Sequence, residues 1–478
     1  MPSPVRNLNT QAAHVDPAQS EGESNRSPRR REWAETKTGP ATKAMLDEDA
    51  RRFLQQSVSS PCLSVIRCAE GIWIEDVEGR RFMDFHGNSV HHIGYGHPRL
   101  IAAIKAQLDD LCFAPRRFTC EPAVALARKM GEIAPAPLEK VLFAPGGSEA
   151  IETALKVARA ATGRFKTISF WDAFHGAGFG AASVGGEQLF RSHIAGPLLA
   201  GAEHVAPFTC YRCAYGYPDR DGQPPLELCK LACAKMVRYV LEKEGDVAAV
   251  IAEPARAVPY IPPPGFWDSV RDACNDHGAL LIFDEIPTGL GKTGRMFACD
   301  HDAVAPDILV MGKALGGGVL PIAATLCRPE LDVAESFAIG HYTHEKNPVL
   351  ARAALTTIEI IEDEGLVANA ARMGAHALKR LYDMKERHAL IGDVRGRGLL
   401  LGVELVLDRD EKTPARDAAE AVYYRALDQG LSFKITMGNV LTLSPPLIIT
   451  QPEMDRALDI LDDCIAAVAR EAFSGKSA

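Results

Sequence analysis

The sequence predicts an α/β fold: a large domain built on a mostly parallel sheet, with a smaller α+β domain beside it. Three observations predict it. Between Val141 and Cys327, short apolar runs rich in β-branched residues alternate with longer stretches of helical periodicity. Several of those runs stop on a single ionisable side chain, Glu253, Asp284 or, just past the end, Lys313. After Asn347 the rhythm changes to long helical patterns around one strand-like run. Alternation of this kind is what βαβ units produce, because parallel strands need a crossover helix between them.

The predicted strands of the large domain, in order, are 141–144, 167–170, 247–253, 279–286, 308–311 and 323–327. Each is nearly continuous in apolar character, as expected for a strand covered by helices on both faces. Beyond Asn347 the spacing predicts a helix through Ile361, another over 368–387, a strand over 399–406 and a last helix from Pro452. Residues 96–345 are therefore read as the large domain, 346–478 as the smaller one, and 44–95 as a preceding segment that belongs to it. Residues 1–43 are polar, rich in Ser, Pro, Asn and Thr, and carry the run Arg29, Arg30, Arg31. They are expected to form a disordered tail.

With 478 residues, 47% apolar, the chain has the composition of a globular protein. A formal net charge of −9 supplies no general attraction for nucleic acid or an acidic membrane surface, so any anion must be held locally. No run approaches the roughly 20 apolar residues of a membrane span, and no apolar leader is evident, so the cytoplasm is the expected location. The twelve cysteines are scattered and read as reduced thiols. Cys210, Cys213, Cys229 and Cys233 have a spacing that superficially suits zinc, but spacing is its whole support and no metal is expected.

In an open α/β sheet, ligands bind beyond the carboxyl ends of the strands, where these three ionisable residues fall. A carboxylate closing an apolar strand is costly to bury without a cationic partner, and a protonated pyridine nitrogen would be one for Asp284. Lys313 precedes a glycine run that lets backbone approach a planar group, and a desolvated lysine can serve as an imine-forming amine. A surface lysine beside a flexible turn is the plain alternative. The segment 144–152 joins a strand to a helix through Gly146, Gly147 and Ser148, whose amides suit a phosphate, though most such turns only cap a helix. Phe174, His175 and Gly176 follow another strand, where an aromatic ring could stack on a heterocycle or simply pack in the core.

Taken together and in this order, Gly-Gly-Ser-Glu-Ala at 146–150, Phe-His-Gly at 174–176, Ala-Glu-Pro at 252–254, the glycine-rich run opening on Asp284, Lys313 in its glycine context and Val-Arg-Gly-Arg-Gly-Leu at 394–399 resemble the class III aminotransferases, over about residues 44–470. The resemblance implies a fold-type-I enzyme of pyridoxal 5'-phosphate (PLP), a homodimer sharing its active sites. It implies that Lys313 forms the covalent imine, that Asp284 faces the pyridine nitrogen, and that Ile286 and Phe174 cover the two ring faces. Gly147 and Ser148 would hold the phosphate beside His175, with Thr343 reaching it from the neighbouring subunit.

The departures from that pattern bear on substrate. The arginine that family members place before Pro-Pro-Leu, where it grips a substrate carboxylate, is Thr442 here. Such a charge-assisted contact is commonly worth about 1.5–3 kcal/mol. Instead, Arg256 follows Glu253-Pro-Ala, where its fork would suit a phosphonate or pair with Glu253. Pro287 replaces a glutamine expected near the ring hydroxyl, and His344 and Lys346 add ionisable groups beside Thr343. Asn88, His91 or His92 would face the substrate, or the histidines would sit in the core bonded to backbone. This set resembles the subgroup of ammonia-lyases that act on a hydroxylated aminophosphonate, giving phosphonoacetaldehyde and ammonia. An ω-aminotransferase of small amines using a keto-acid acceptor is the second expectation. A non-catalytic cofactor-binding protein is the third, and it would have no need of Lys313.

Overall fold

The computed structural model describes residues 20, 22, 25–192, 195–219 and 225–474. Near the N-terminus lie β1 (Ile66–Glu70), β2 (Trp73–Asp76) and β3 (Arg81–Asp84), an antiparallel meander. Seven strands then build one sheet: β4 (Lys140–Ala144), β5 (Lys166–Phe170), β6 (Ala202–Val205), β7 (Val247–Ala252), β8 (Leu280–Asp284), β9 (Ile308–Met311) and β10 (Ala323–Cys327). Their order is β4-β10-β9-β8-β7-β5-β6, with β10 antiparallel to both neighbours and the other pairs parallel. The mixed α/β fold with a mostly parallel sheet is the one the sequence predicts.

The central strands are buried along their whole length, which is why they read as unbroken apolar runs. The helix Phe266–His277 closes one face by stacking Trp267 edge-on against Phe283, 4.7 Å between ring centres. Strand β6 escaped the sequence reading because Ala-Glu-His-Val is short, half polar and sits at the sheet edge, where one side has no neighbour to bury.

A second sheet, of order β11-β12-β15-β14, comprises β11 (Ile391–Arg397), β12 (Leu400–Leu405), β14 (Lys434–Thr436) and β15 (Val440–Leu443). The two-residue strand β13 (Leu431–Ser432) leaves the C-terminal part and pairs in parallel with β3. Residues 66–84 and the C-terminal region are thereby joined through one sheet. The helices Pro348–Asp363, Leu366–Arg387 and Gln451–Ser474 stand near the expected places.

The expected disordered tail requires correction over residues 28–43. Helices Pro28–Lys37 and Pro40–Arg52 occupy that stretch, each with proline in its first turn, and Ser27 caps the former by accepting from the Arg30 amide. Trp33 is 4% exposed, lies under the Arg80 guanidinium and donates to Asp428 at 3.3 Å. One buried tryptophan is invisible to a composition argument yet supplies the anchor. Residues 1–19 of the tail lie outside the described residues.

Candidate active site

Strands β8 and β9 are parallel neighbours, with Asp284 opposite Val310, so Asp284 and the Lys313 segment leave the sheet side by side at its carboxyl edge. After Met311 the chain passes Gly312 and turns into a short 3-10 helix, Lys313–Gly316. Lys313 itself takes a positive φ of 41°, a strained conformation for a residue with a Cβ and one that recurs at functional sites. Its side chain is exposed into a cavity of about 530 Å³.

Asp284 is 1% exposed and accepts from His175 Nδ1 at 2.8 Å and from the Ile286 amide at 3.0 Å. His175 comes from the loop after β5, and the same loop is tied to the phosphate-type turn, where the Ala177 amide donates to Ser148 Oγ at 3.1 Å. Gly147 opens the helix Gly147–Thr162, whose N-terminus has no side-chain cap. Amide donors at such an end suit an anion, aided by the helix dipole. Ile286 stands between two glycines: a Cβ on Gly147 would lie 2.8 Å from its Cδ1, and one on Gly312 would touch Cγ1 at 3.4 Å. The Lys313 turn, the buried Asp284 carboxylate, Ile286 and the Gly147–Ser148 turn therefore form one assembly.

Phe174, Asn88, Pro287 and Thr442 line the cavity with Lys313. Asn88 is held there by a loop with a positive φ of 48°, pinned from below by Asp84, whose Oδ1 accepts the His86 and Gly87 amides. Lys434 and Ser444 also line it. The sequence reading gave neither a role: Lys434 falls in no motif and reaches the cavity wall through strand pairing, and Ser444, directly before Pro-Pro-Leu, was passed over in favour of Thr442.

Several expected residues stand elsewhere. His91 is a core residue beneath the Asn88 loop, its Nε2 on the Asp84 carbonyl at 3.1 Å, and burial pushes its imidazole down to about 4. His92 is buried with Nε2 3.2 Å from the Gly289 carbonyl. Arg256 does not line the Lys313 cavity: it is buried against Glu187 at 2.9 Å and Glu253 at 3.5 Å. Glu253 also accepts the Ala257 amide at 3.0 Å, and Ala257 does line the cavity, so this pair shapes the wall from behind. A buried guanidinium requires such counter-charges, which explains the pairing. Thr343, His344 and Lys346 are exposed and do not line it either. His344 packs edge-on against Phe113 and lies 3.2 Å from the Asn347 amide nitrogen.

The four clustered cysteines line one separate cavity of about 30 Å³. Burial pushes the Cys210 thiol up to about 12 and that of Cys233 to about 11, so these two remain protonated. Among the described residues no group of His, Cys, Asp or Glu is arranged to hold a metal ion.

The site fits PLP on three features of its own. A buried carboxylate waits at the strand end for a cationic ring atom. His175 Nε2 on its far side is buried without a hydrogen-bond partner. The glycines at 147 and 312 let backbone approach Ile286 closely, where a Cβ would come within 2.8 and 3.4 Å of it, leaving room for a flat ring and its phosphate.

Comparison with known proteins agrees. The family described as Aminotransferase class-III matches residues 55–465. The chain is 45% identical to the (R)-1-hydroxy-2-aminoethylphosphonate ammonia-lyase of Vibrio splendidus (strain 12B01), covering 95% of this chain and 96% of that protein. It is 38% identical to a leucine/methionine racemase of Thermococcus litoralis, over 86% of this chain and 91% of the relative. Among solved structures, a PLP-bound amine transaminase from an uncultivated Pseudomonas species superposes with a TM-score of 0.81 at 32% identity, covering 87% of this chain and 99% of that one. The chain belongs to the class-III aminotransferase family and is an enzyme whose cofactor is pyridoxal 5'-phosphate.

Proposed function

We propose that the protein is an ammonia-lyase of a small hydroxylated aminophosphonate, with (R)-1-hydroxy-2-aminoethylphosphonate as substrate. PLP, when bound, supplies the electron sink that makes a C–H beside the substrate nitrogen acidic. Lys313 Nζ takes that proton, Asp284 keeps a positive charge on the ring nitrogen, and His175 orients Asp284. Gly147 and Ser148 amides hold the cofactor phosphate, and Ile286 and Phe174 confine the ring. Loss of the proton from the amine-bearing carbon and of hydroxide from its neighbour leaves an enamine. Hydrolysis of that enamine gives phosphonoacetaldehyde and ammonia, with water balanced overall.

One observation carries the choice of lyase: the cavity wall presents Thr442 where a keto-acid acceptor's carboxylate would need a guanidinium. The 45% identical relative is named for this reaction. The test is to supply the hydroxylated aminophosphonate to the PLP-loaded protein with no acceptor and follow ammonia and aldehyde. Release without acceptor supports the lyase. Release wholly dependent on a keto acid would make the enzyme an aminotransferase, the reading favoured by the solved transaminases that share its fold.

We also propose that two chains pair and share their sites. Tyr342 is anchored to the phosphate helix through the Glu149 carbonyl at 3.0 Å, while the adjacent Thr343 is exposed, suitably placed to serve a neighbouring chain. A cytoplasmic location is supported by the twelve cysteines, all free thiols.

A further inference from the structure

The aromatic side of the cavity is held from behind by a buried ion pair. Phe190 lines the cavity beside Phe174, with 4.5 Å between their ring centres and a tilt of 53°, a favourable aromatic pairing. Phe190 belongs to a helix of only four residues, Gln188–Arg191, and a single turn cannot sustain itself, because fixing its backbone costs more than its few hydrogen bonds return. Its position must come from tertiary contacts.

Those contacts converge on Glu187, the residue that opens the turn. The backbone there is tied to the segment carrying Phe174: the Gly186 and Glu187 amides both donate to the Ala173 carbonyl, at 2.7 and 3.3 Å, and a Cβ on Gly186 would collide with the Phe170 carbonyl. The Phe190 amide donates to the Glu187 carbonyl at 3.2 Å. The Glu187 side chain is buried and accepts from Arg256 Nη2 at 2.9 Å. Arg256 is fixed in turn: its amide donates to the Tyr260 carbonyl at 3.0 Å, and its guanidinium lies 5.6 Å from the centre of the Tyr260 ring and 3.5 Å from Glu253. Breaking a buried pair of this kind is costly, so the turn is locked to the loop after β7. Neither Glu187 nor Arg256 lines the cavity, and Phe190 is the part of this assembly that does.

We propose that the Glu187–Arg256 pair is a positioning device: it holds Phe190 against Phe174 and thereby limits the amine that the cavity accepts to a two-carbon chain. The proposal rests on the small-substrate reading above and names the residues that enforce it. The guanidinium that the sequence offered as an anion ligand thus acts on the substrate only through an aromatic side chain. With the pair cut, the single turn drifts, Phe190 withdraws and a longer chain fits.

The test compares PLP-loaded wild type, Glu187→Ala, Glu187→Gln, Phe190→Ala and the double variant Glu187→Ala/Phe190→Ala. Calorimetry measures the binding of 2-aminoethylphosphonate against 3-aminopropylphosphonate, and of 2-aminoethanol against 3-amino-1-propanol, a pair that carries no phosphonate. Glu187→Ala leaves Arg256 its other carboxylate, Glu253, so the guanidinium keeps a counter-charge. Wild type is expected to prefer the shorter member of each pair by about tenfold or more, the range of one methylene in a fitted pocket. That preference should largely disappear in Glu187→Ala and in Phe190→Ala and fall in part in Glu187→Gln. It should fall no further in the double variant than in Phe190→Ala, because a positioning residue acts through the side chain it places. Losses that add in the double variant, an unchanged preference in both Glu187 variants, or a wild type indifferent to chain length overturns the proposal. A preference for 2-aminoethanol that depends on Glu187 and Phe190, without acceptor-free ammonia release from the hydroxylated aminophosphonate, would uphold the positioning role and overturn only the lyase reading.

Discussion

At the scale of single residues, the chemistry depends on ionisable groups kept where water does not reach. Asp284, 1% exposed, is tolerable because His175 and the Ile286 amide donate to it, and a cationic ring nitrogen would complete the set. Lys313, by contrast, projects into open space and carries no packing burden. Lys313→Ala is thus expected to lower turnover by at least ~10²–10⁴-fold, the usual share of a positioned acid or base, while leaving the melting temperature nearly unchanged. A large drop in melting temperature would mean that the lysine is structural. Lys292 is a different case: it is fully buried, donates to the Pro445 carbonyl at 2.7 Å, and burial pushes its ammonium down to about 7. In the unfolded chain a lysine keeps its proton up to about pH 10.4. Between these values the unfolded state holds more protons, so this group makes the fold more stable as pH rises from about 7 toward 10, and the contribution is lost as pH falls through 7. Lys292→Met should lose that slope, alongside a pH-independent cost of about 1–3 kcal/mol for the orphaned carbonyl. Urea midpoints at neutral and alkaline pH for both proteins measure it, and parallel slopes would reject the assignment.

At the scale of elements, the turn at Gly147 and the Ile286 side chain constrain each other. A methyl on Gly147 would lie 2.8 Å from Ile286 Cδ1, so Gly147→Ala forces the isoleucine or the turn to shift. Overpacking of this kind costs about 1–3 kcal/mol. Here it should appear chiefly as weaker PLP retention on dialysis, because the exposed side of the site yields before the sheet does; full retention would show that Ile286 has room to move. The same paired elements show what a sequence conceals. Strands β7, β8, β9 and β10 are legible because each is buried throughout, whereas β6 and β13 are short and defined mostly by the neighbour they bond.

At the scale of the whole molecule, the N-terminal helices tie residues 28–52 to the C-terminal region. Trp33 packs toward Tyr424 at 6.1 Å and bonds Asp428, and Lys37 pairs with that same Asp428 at 2.9 Å. Trp33→Ala should destabilise the protein by about 3 kcal/mol, the cost of emptying a buried aromatic site, visible as a lowered denaturant midpoint. No change would mean that this helix is only loosely seated. For the proposed pairing of chains, light scattering should give twice the chain mass. Thr343→Ala should weaken PLP binding by roughly fivefold, about 1 kcal/mol for one hydrogen bond, without dissociating the pair. A monomer with unimpaired PLP binding would reject the shared site.

What the sequence determined by itself is the α/β class, the strands that are apolar from end to end, and the ordered motifs around Gly147, Asp284 and Lys313. Those features are local: burial on both faces writes itself into consecutive residues, and strand ends announce where ligands bind. Tertiary structure alone decided the rest. It paired Arg256 with Glu187, 69 positions away in sequence, and put His91 beneath the loop that carries Asn88. It set Lys434 opposite Thr442 and seated residues 28–52 on the C-terminal region. Charge pairing and cross-strand register depend on which distant segments meet, and no periodicity along the chain records that.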